Sequence, residues 1–434
     1  MSNVIYKNFL GKKSIIDLDL SIKYEFDDSN LENNKLFHKF MFEDLLPDEA
    51  FDHPFFIADV SFSIPQFSKM RFSNEELEVI NTRGLIIFLA DFVVSYVGEK
   101  INFDFGNIYR NDFDELNKSK ISFNYESDCK DIHAFPLDSI NELLVNNNIS
   151  NVTVYTCDSD LSPLKKIYSR INFKYYDLHT RHWIKNYKIE IPIVKKISTK
   201  FSCINLRYSL PRHLLMSYLI NYQGQYSWYY QSNFEHLKNN LWFDIENWDS
   251  KNLNRVKKGS KILDSTSPLI VDIQVNESKK ISGLKSDWFL FPADIKQGRN
   301  FAENADNLFF NNSFCHIAVE TLYASIGSNV GEKPLRPIKF KMPFILVGRA
   351  GCLSLLKKYG FKTFDRYWDE SYDLEINHEK RMLKIFKVID DIDRYSLDDL
   401  RKMCSDMTDI LDHNFNLLTH LNGKNSFVLK NLYV

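Results

Sequence analysis

Side chains whose types and spacing suit a phosphorylated ligand concentrate between Phe314 and Asp373. The segment opens with the apolar run His316-Ile317-Ala318-Val319, which ends on Glu320-Thr321. It continues through Gly331-Glu332-Lys333-Pro334-Leu335-Arg336-Pro337-Ile338 to a second apolar run, Phe344-Ile345-Leu346-Val347, which ends on Gly348. Read as strand end, helix start and strand end, this order suits a nucleoside diphosphate. The helix N-terminus with Lys333 or Arg336 would face the phosphates, and a carboxylate would accept ribose hydroxyls. The plainer alternative makes Lys333 and Arg336 solvated charges at a helix start.

Other chemistries find less support. His316 and Glu320 stand four apart, but one His and one Glu make no HExxH zinc site, and His316 also reads as a satisfied buried histidine. No G-x-x-x-x-G-K-[ST] phosphate loop or G-x-S-x-G elbow occurs, so the kinase-type and hydrolase-type readings lose support. Lys195-Lys196, Lys257-Lys258 and Lys279-Lys280, with Trp228, Tyr229 and Tyr230, could contact phosphates and stack on bases. Exposed lysines and core aromatics explain them as well.

Positioning such groups requires an α/β framework. Ser73-Asn74-Glu75-Glu76 has capping-box spacing and opens a helix that stops near Gly84, and the buried strand Leu85 to Leu89 follows. The pattern repeats as a helix over Leu137 to Asn146, a break at Asn147-Asn148 and a β-branched strand over Val152 to Thr156. It restarts with a strand at Phe201 to Asn205, a helix from Arg212 to Tyr222, a strand at Phe314 to Val319, a helix from Pro337, a strand at Phe344 to Val347 and a helix from Leu353 to Tyr359. Helices alternating with buried strands predict parallel sheets, with ligands at the carboxyl ends of the strands. The tail is helical: Met382, Ile385, Phe386 and Ile389 recur at helical spacing, and Ser396 with Asp399 resembles a capping box.

Composition narrows the class further. The 434 residues exceed what one core organises and predict two or three domains. With 44% hydrophobic and 26% charged residues, 14 Gly and 12 Pro, the chain is globular rather than disordered. Lys and Arg number 55 against 57 Asp and Glu, so no global positive field draws it to nucleic acid or acidic lipid. Cysteines 129, 157, 203, 315, 352 and 404 form no CxxC pair, which predicts reduced thiols and no structural metal. No cleavable signal is evident after Met1, and Gly84 to Val97 is too short and carries Asp91, so neither secretion nor a membrane span is expected. The expected location is the cytoplasm, that of the host if the chain is phage-encoded.

Set in order, Glu320-Thr321, Glu332-Lys333-Pro334-Leu335-Arg336-Pro337-Ile338, Pro343 to Gly348, Tyr359 to Phe364 and Trp368 to Asp373 resemble the donor half of GT-B glycosyltransferase-like proteins of phages and bacteria. They are distantly similar to the fucosyltransferase pattern too. Asn205-Leu206-Arg207 and Pro211-Arg212-His213 are similar to the Asn-Arg and His-Arg elements that begin the second domain in those proteins. The blocks cover residues 201 to about 390, with two departures: Gly331 stands where the family favours Thr, and Arg212-His213 reverses the expected order.

The resemblance implies a GT-B fold: two Rossmann-like α/β domains with a cleft between them and C-terminal helices. Residues 1–195 would bind the acceptor, 200–375 the nucleotide-sugar donor, and 376–434 would pack across both. Donor binding falls to Asn205, Arg207, Arg212, Glu320, Glu332, Lys333, Arg336 and Gly348, with Glu320 or Glu332 on the ribose and Lys333 and Arg207 on the diphosphate. The implied acceptor is either modified DNA, carrying a hydroxymethylated base that receives a glucosyl- or arabinosyl-type sugar, or a glycan. No cofactor, metal or obligate protein partner is implied.

An inverting transfer needs a base near the acceptor hydroxyl. Asp91, just after the Leu85 to Leu89 strand, is the best-placed carboxylate, with Asp59 and Asp158 competing; each also reads as a turn or capping residue. Asp158-Ser159-Asp160 has the Asp-x-Asp spacing by which GT-A enzymes hold a divalent cation, or is a polar strand-to-helix turn. A non-catalytic binding module of the same fold is the reading from another class.

Overall fold

The computed structural model describes residues 3–7, 13–17, 22–25, 56–59, 67, 70–89, 135–157, 161–186, 189, 196–205, 210–219, 221, 226–229, 248–264, 271–274, 277–280, 313–320, 323 and 330–422. The chain divides into two compact units: Met1–Lys185 with Ala324–Asn329 and Lys424–Val434, and Asn186–Tyr323 with Val330–Gly423. Both are α/β.

The first unit holds a seven-stranded sheet in the order β3-β2-β1-β4-β5-β6-β7: β1 Asn3–Lys7, β2 Lys13–Asp17, β3 Ile22–Glu25, β4 Phe56–Asp59, β5 Leu85–Leu89, β6 Val152–Thr156 and β7 Asn172–Tyr175. Strands β4 to β7 are parallel, as the alternation of helix and strand requires. The sheet is nonetheless mixed, because β1, β2 and β3 pair antiparallel and β1 meets β4 antiparallel. The physical reason is chain length: the few residues between β1, β2 and β3 close hairpins but cannot carry the crossover a parallel pair needs.

Local chemistry sets the boundaries of α1 (Asn74–Arg83). At its start the Glu76 amide donates to Ser73 Oγ at 3.2 Å and the Ser73 amide donates to Glu76 Oε2 at 2.8 Å. At its end Gly84 turns with φ 91°, where a side chain would be strained and its Cβ would lie 3.1 Å from Asn151. Helix α2 (Phe135–Asn146) stops at Asn147, and Asn148 takes a left-handed φ of 51°. Its Leu137, Ile140, Leu143 and Leu144 pack with Ile57, Ile87 and Val154 in the core. Helices α3 (Ser162–Ile167) and α4 (Leu178–Asn186) flank β7 in the chain.

The second unit contains an all-parallel sheet in the order β13-β12-β8-β9: β8 Thr199–Asn205, β9 Tyr226–Tyr229, β12 Ser313–Val319 and β13 Phe344–Val347. A short antiparallel pair, β10 Val271–Gln274 and β11 Glu277–Lys280, accompanies it. Every residue of β12 and β13 is buried, as expected of parallel strands covered on both faces. Around the sheet run α5 (Leu210–Leu219), α6 (Ser250–Asp264), α7 (Leu335–Lys339), α8 (Cys352–Lys358), α9 (His378–Asp393), α10 (Leu397–Asp406) and α11 (Thr408–Asn422).

The tail helices belong to this unit. Asn377 caps α9, and the expected Ser396–Asp399 capping box opens α10. Helix α9 buries Met382, Ile385, Phe386 and Ile389, and Phe386 stacks on Tyr218 of α5 at 3.7 Å. Arg401 of α10 donates twice to the Ile197 carbonyl before β8, and Asn414 of α11 pairs with both the amide and the carbonyl of Lys362. No helix among the described residues is long and apolar enough to cross a membrane.

Candidate functional site

The carboxyl end of β12 is where the chemistry gathers. The Glu320 amide donates to the Val347 carbonyl of β13 at 2.8 Å, which carries the strand pairing one residue past β12 and fixes where the side chain starts. Glu320 is 2% exposed, and its Oε1 accepts from the Gly331 amide at 2.7 Å. Gly331 therefore lies against the carboxylate at the end of β12. A Cβ on Gly331 would sit 3.1 Å from Glu320 Oε2, and one on Gly348 would lie 3.4 Å from Glu320 Cβ and 3.1 Å from Cys352 Sγ. Close approach to one buried carboxylate accounts for glycine at both positions.

Lys333 bridges two carboxylates. Its Nζ lies 2.8 Å from Glu332 Oε1 and 3.5 Å from Glu320 Oε2. Burial pushes the Glu332 carboxyl up, but the Lys333 ammonium beside it and the Arg336 guanidinium pull harder and bring it down to about 2. The sign of the linkage follows. A carboxyl held below its unfolded value contributes stability that is complete above about pH 4.5 and disappears as pH falls toward 2. Denaturation midpoints followed from pH 7 to pH 3 should show a shallower acid limb in Glu332→Gln than in the wild type.

The Glu-Lys pair sits in the turn before the helix rather than opening it: α7 begins at Leu335, after Pro334, and is five residues long. One turn sums few peptide dipoles, so the side chains, not the helix end, supply the positive field. Arg336 is 5% exposed, which excludes the solvated alternative for that residue.

A second block arrives from β8 and α5. Asn205 ends β8 buried, and its Nδ2 donates to Cys203 Sγ at 3.2 Å. Burial raises the Cys203 thiol to about 12, against the lowering influence of Asn205, Arg212 and Arg336. Arg212 and Arg336, far apart in the chain, thus both act electrostatically on one residue of β8. Adjacent positions on a helix point about 100° apart. Buried Arg212 thus influences Cys203 while His213 Nε2 pairs with Ser260 Oγ of α6 at 3.0 Å. His316, one strand over, pairs through Nδ1 with Ser202 Oγ at 2.9 Å, and burial with the nearby Arg336 charge holds it well below the usual histidine range. It is a satisfied, neutral core histidine.

The turn after β13 is already occupied from within. Asp373 accepts from the Leu353 amide at 2.8 Å and from the Ser354 amide and hydroxyl, both at 3.0 Å, so an internal carboxylate caps α8. Glu370 accepts from Thr363 Oγ1 and the Phe364 amide, and Asp369 from the Ser371 amide. The Trp368 to Asp373 block therefore fastens loops. Sequence reasoning missed Arg349, which follows Gly348 and is 1% exposed; a basic residue next to a strand-end glycine was the available signal.

Of the expected residues, Lys333 contacts Glu320 and Glu332 and Gly348 packs beside Glu320, while Asn205 contacts Cys203, whose thiol also feels the charges of Arg212 and Arg336. Asp91, Arg207, Asp158, Ser159, Asp160, Lys195 and Tyr230 lie outside the described residues, as do the side chains of Asp59, Trp228, Tyr229, Lys279 and Lys280. Lys196, Lys257 and Lys258 are exposed. Cys157, Cys203, Cys315, Cys352 and Cys404 are free thiols.

No family model matches the chain, and no curated protein matches it. Solved structures do. T4 phage BGT in complex with its UDP-glucose substrate is 10% identical, with 87% of this chain and 80% of that chain covered and a TM-score of 0.29. The DNA-modifying enzyme beta-glucosyltransferase, in the presence and absence of uridine diphosphoglucose, is 10% identical over 64% of this chain and 65% of that one, with a TM-score of 0.28. T4 phage BGT in complex with UDP and Mn²⁺ is 10% identical over 83% and 77%, with a TM-score of 0.29.

Proposed function

We propose that the protein is a GT-B-type glycosyltransferase that moves a sugar from a nucleotide-sugar donor to an acceptor hydroxyl, and that its second unit holds the donor. The observation carrying this is the set of charged side chains at β8 and the end of β12. Buried Arg212 and Arg336 act electrostatically on Cys203 of β8, and half-buried Lys333 meets Glu320 and Glu332. A diphosphate complements cations of this kind, and a carboxylate at its edge accepts sugar hydroxyls.

The chemistry follows from those charges. As the bond from the sugar to the diphosphate breaks, negative charge grows on the departing oxygen, and fixed cations in a dry site stabilise it more than they stabilise the bound donor. The cations supply this without a metal. The acceptor hydroxyl attacks the anomeric carbon, and Asp91 is our assignment for the base that takes its proton. The acceptor is a hydroxymethylated DNA base or a glycan hydroxyl, presented by the first unit.

A thermal-shift screen against nucleoside diphosphates and nucleotide sugars, with and without Mn²⁺, tests the donor assignment. A ligand at a hundred times its dissociation constant adds about 2.7 kcal/mol to the folded state. The expected result is a metal-independent shift in the wild type that shrinks at equal ligand concentration in Lys333→Ala. Absence of a shift with every nucleotide would overturn the reading.

A further inference from the structure

We propose that a bound donor and Glu332 compete for the Lys333 ammonium, so that filling the site draws one proton from solvent onto the Glu332 carboxylate. This rests on the reading that a diphosphate binds here. In the free protein Lys333 is the hinge of the cluster, 2.8 Å from Glu332 and 3.5 Å from Glu320. The two carboxylates are not equivalent. Glu320 is held by the Gly331 amide at 2.7 Å as well as by Lys333, and its side chain is 1% exposed. Glu332 faces Lys333 directly, feels Arg336 from α7, and shares Lys333 with Glu320 from the end of β12. Among the described residues these are the charged groups that act on it.

A phosphate oxygen that takes a hydrogen bond from Lys333 arrives within a few ångströms of Glu332. Two negative charges at that separation disfavour joint ionisation. Arg336 and Lys333 are then partly neutralised by the ligand, while burial still penalises the carboxylate. The balance is simple: one proton leaves solvent and adds to a Glu332 oxygen, and the resulting carboxyl donates to a phosphate oxygen. Neighbouring His316 does not contribute, being neutral already and paired with Ser202.

The test is calorimetric titration of the full chain with whichever nucleotide sugar gives the largest thermal shift. Such a donor carries only phosphodiester groups, which do not titrate between pH 5 and pH 7.5, so a proton exchanged in that range belongs to the protein. Titrations at pH 5 in two buffers of different ionisation enthalpy count it. Expected are uptake of a fraction of a proton at pH 5, none at pH 7.5, and an affinity that rises about two- to tenfold between pH 7.5 and pH 5. Glu332→Gln should bind with both effects gone. Wild-type binding without proton exchange overturns the competition and leaves the donor reading standing. Uptake that persists in Glu332→Gln overturns it too, by assigning the proton elsewhere. Failure of every nucleotide sugar to bind removes the donor reading, and the competition with it.

Discussion

Gly259→Ala is expected to lower the stability of the second unit by about 3 kcal/mol, although on an isolated helix the same change would raise it by about 1 kcal/mol. The reason is contact between α5 and α6. A Cβ on Gly259 would overlap the Ser217 carbonyl oxygen and lie 2.6 Å from its carbon, both backbone atoms that no side-chain rotation can move aside. One helix has to shift, and that disturbs what they share. Asn221 Nδ2 donates to the Arg255 carbonyl, His213 meets Ser260, and Tyr218 with Arg255 and Lys251 converges on Asp390 of α9. Helix α5 also carries Arg212, so donor affinity should fall together with the unfolding midpoint. Lys258→Ala, at an exposed position on the same helix, is the control and should change stability by less than about 0.5 kcal/mol. Equal urea midpoints for Gly259→Ala and the wild type would mean that α5 and α6 lie farther apart than described.

That contact also marks where sequence reasoning stops. Helix ends were legible because their causes are local: Ser73 with Glu76, Gly84, Asn148, and Ser396 with Asp399 each act within four residues of the boundary they set. The apolar runs at β5, β6, β12 and β13 were legible for the same reason. The antiparallel pairing of β1 to β3 was not legible, because it depends on which segment each strand meets. Helix α6 went unread, its lysine pair drawing attention while Gly259, the residue that fixes its packing, has meaning only against Ser217. At the site, motif order led to Glu320, Glu332, Lys333 and Arg336. That Arg212 and Arg336 both act on Cys203, and that Asp373 caps α8, depend on packing across the sheet and on a loop returning from twenty residues on. Types and spacing name candidates for a site, but which of them share a charge is decided by the sheet.

Glu320 carries the second large effect. Glu320→Ala should cost about 3–5 kcal/mol, the range for removing one partner of a buried ion pair, since it leaves the Lys333 ammonium short of a carboxylate and the Gly331 amide without its acceptor. Glu320→Gln should cost about 1–3 kcal/mol: the amide oxygen still accepts from Gly331, but Lys333 keeps only Glu332. Both should weaken donor binding, because the Gly331 to Lys333 turn is held against β12 through this one side chain. A purely structural Glu320 would produce the same two results, so a third variant is needed. In Glu320→Gln and Glu332→Gln combined with Lys333→Met the ammonium goes together with both of its carboxylates, and stability should recover by about 1 kcal/mol or more relative to the sum of the single changes. Donor binding should not recover, since the cation proposed to meet the diphosphate is gone. Stability that returns while binding stays lost would separate the role of Lys333 toward ligand from its role in the fold. Binding that returned with stability would show that the site needs this corner only as a support.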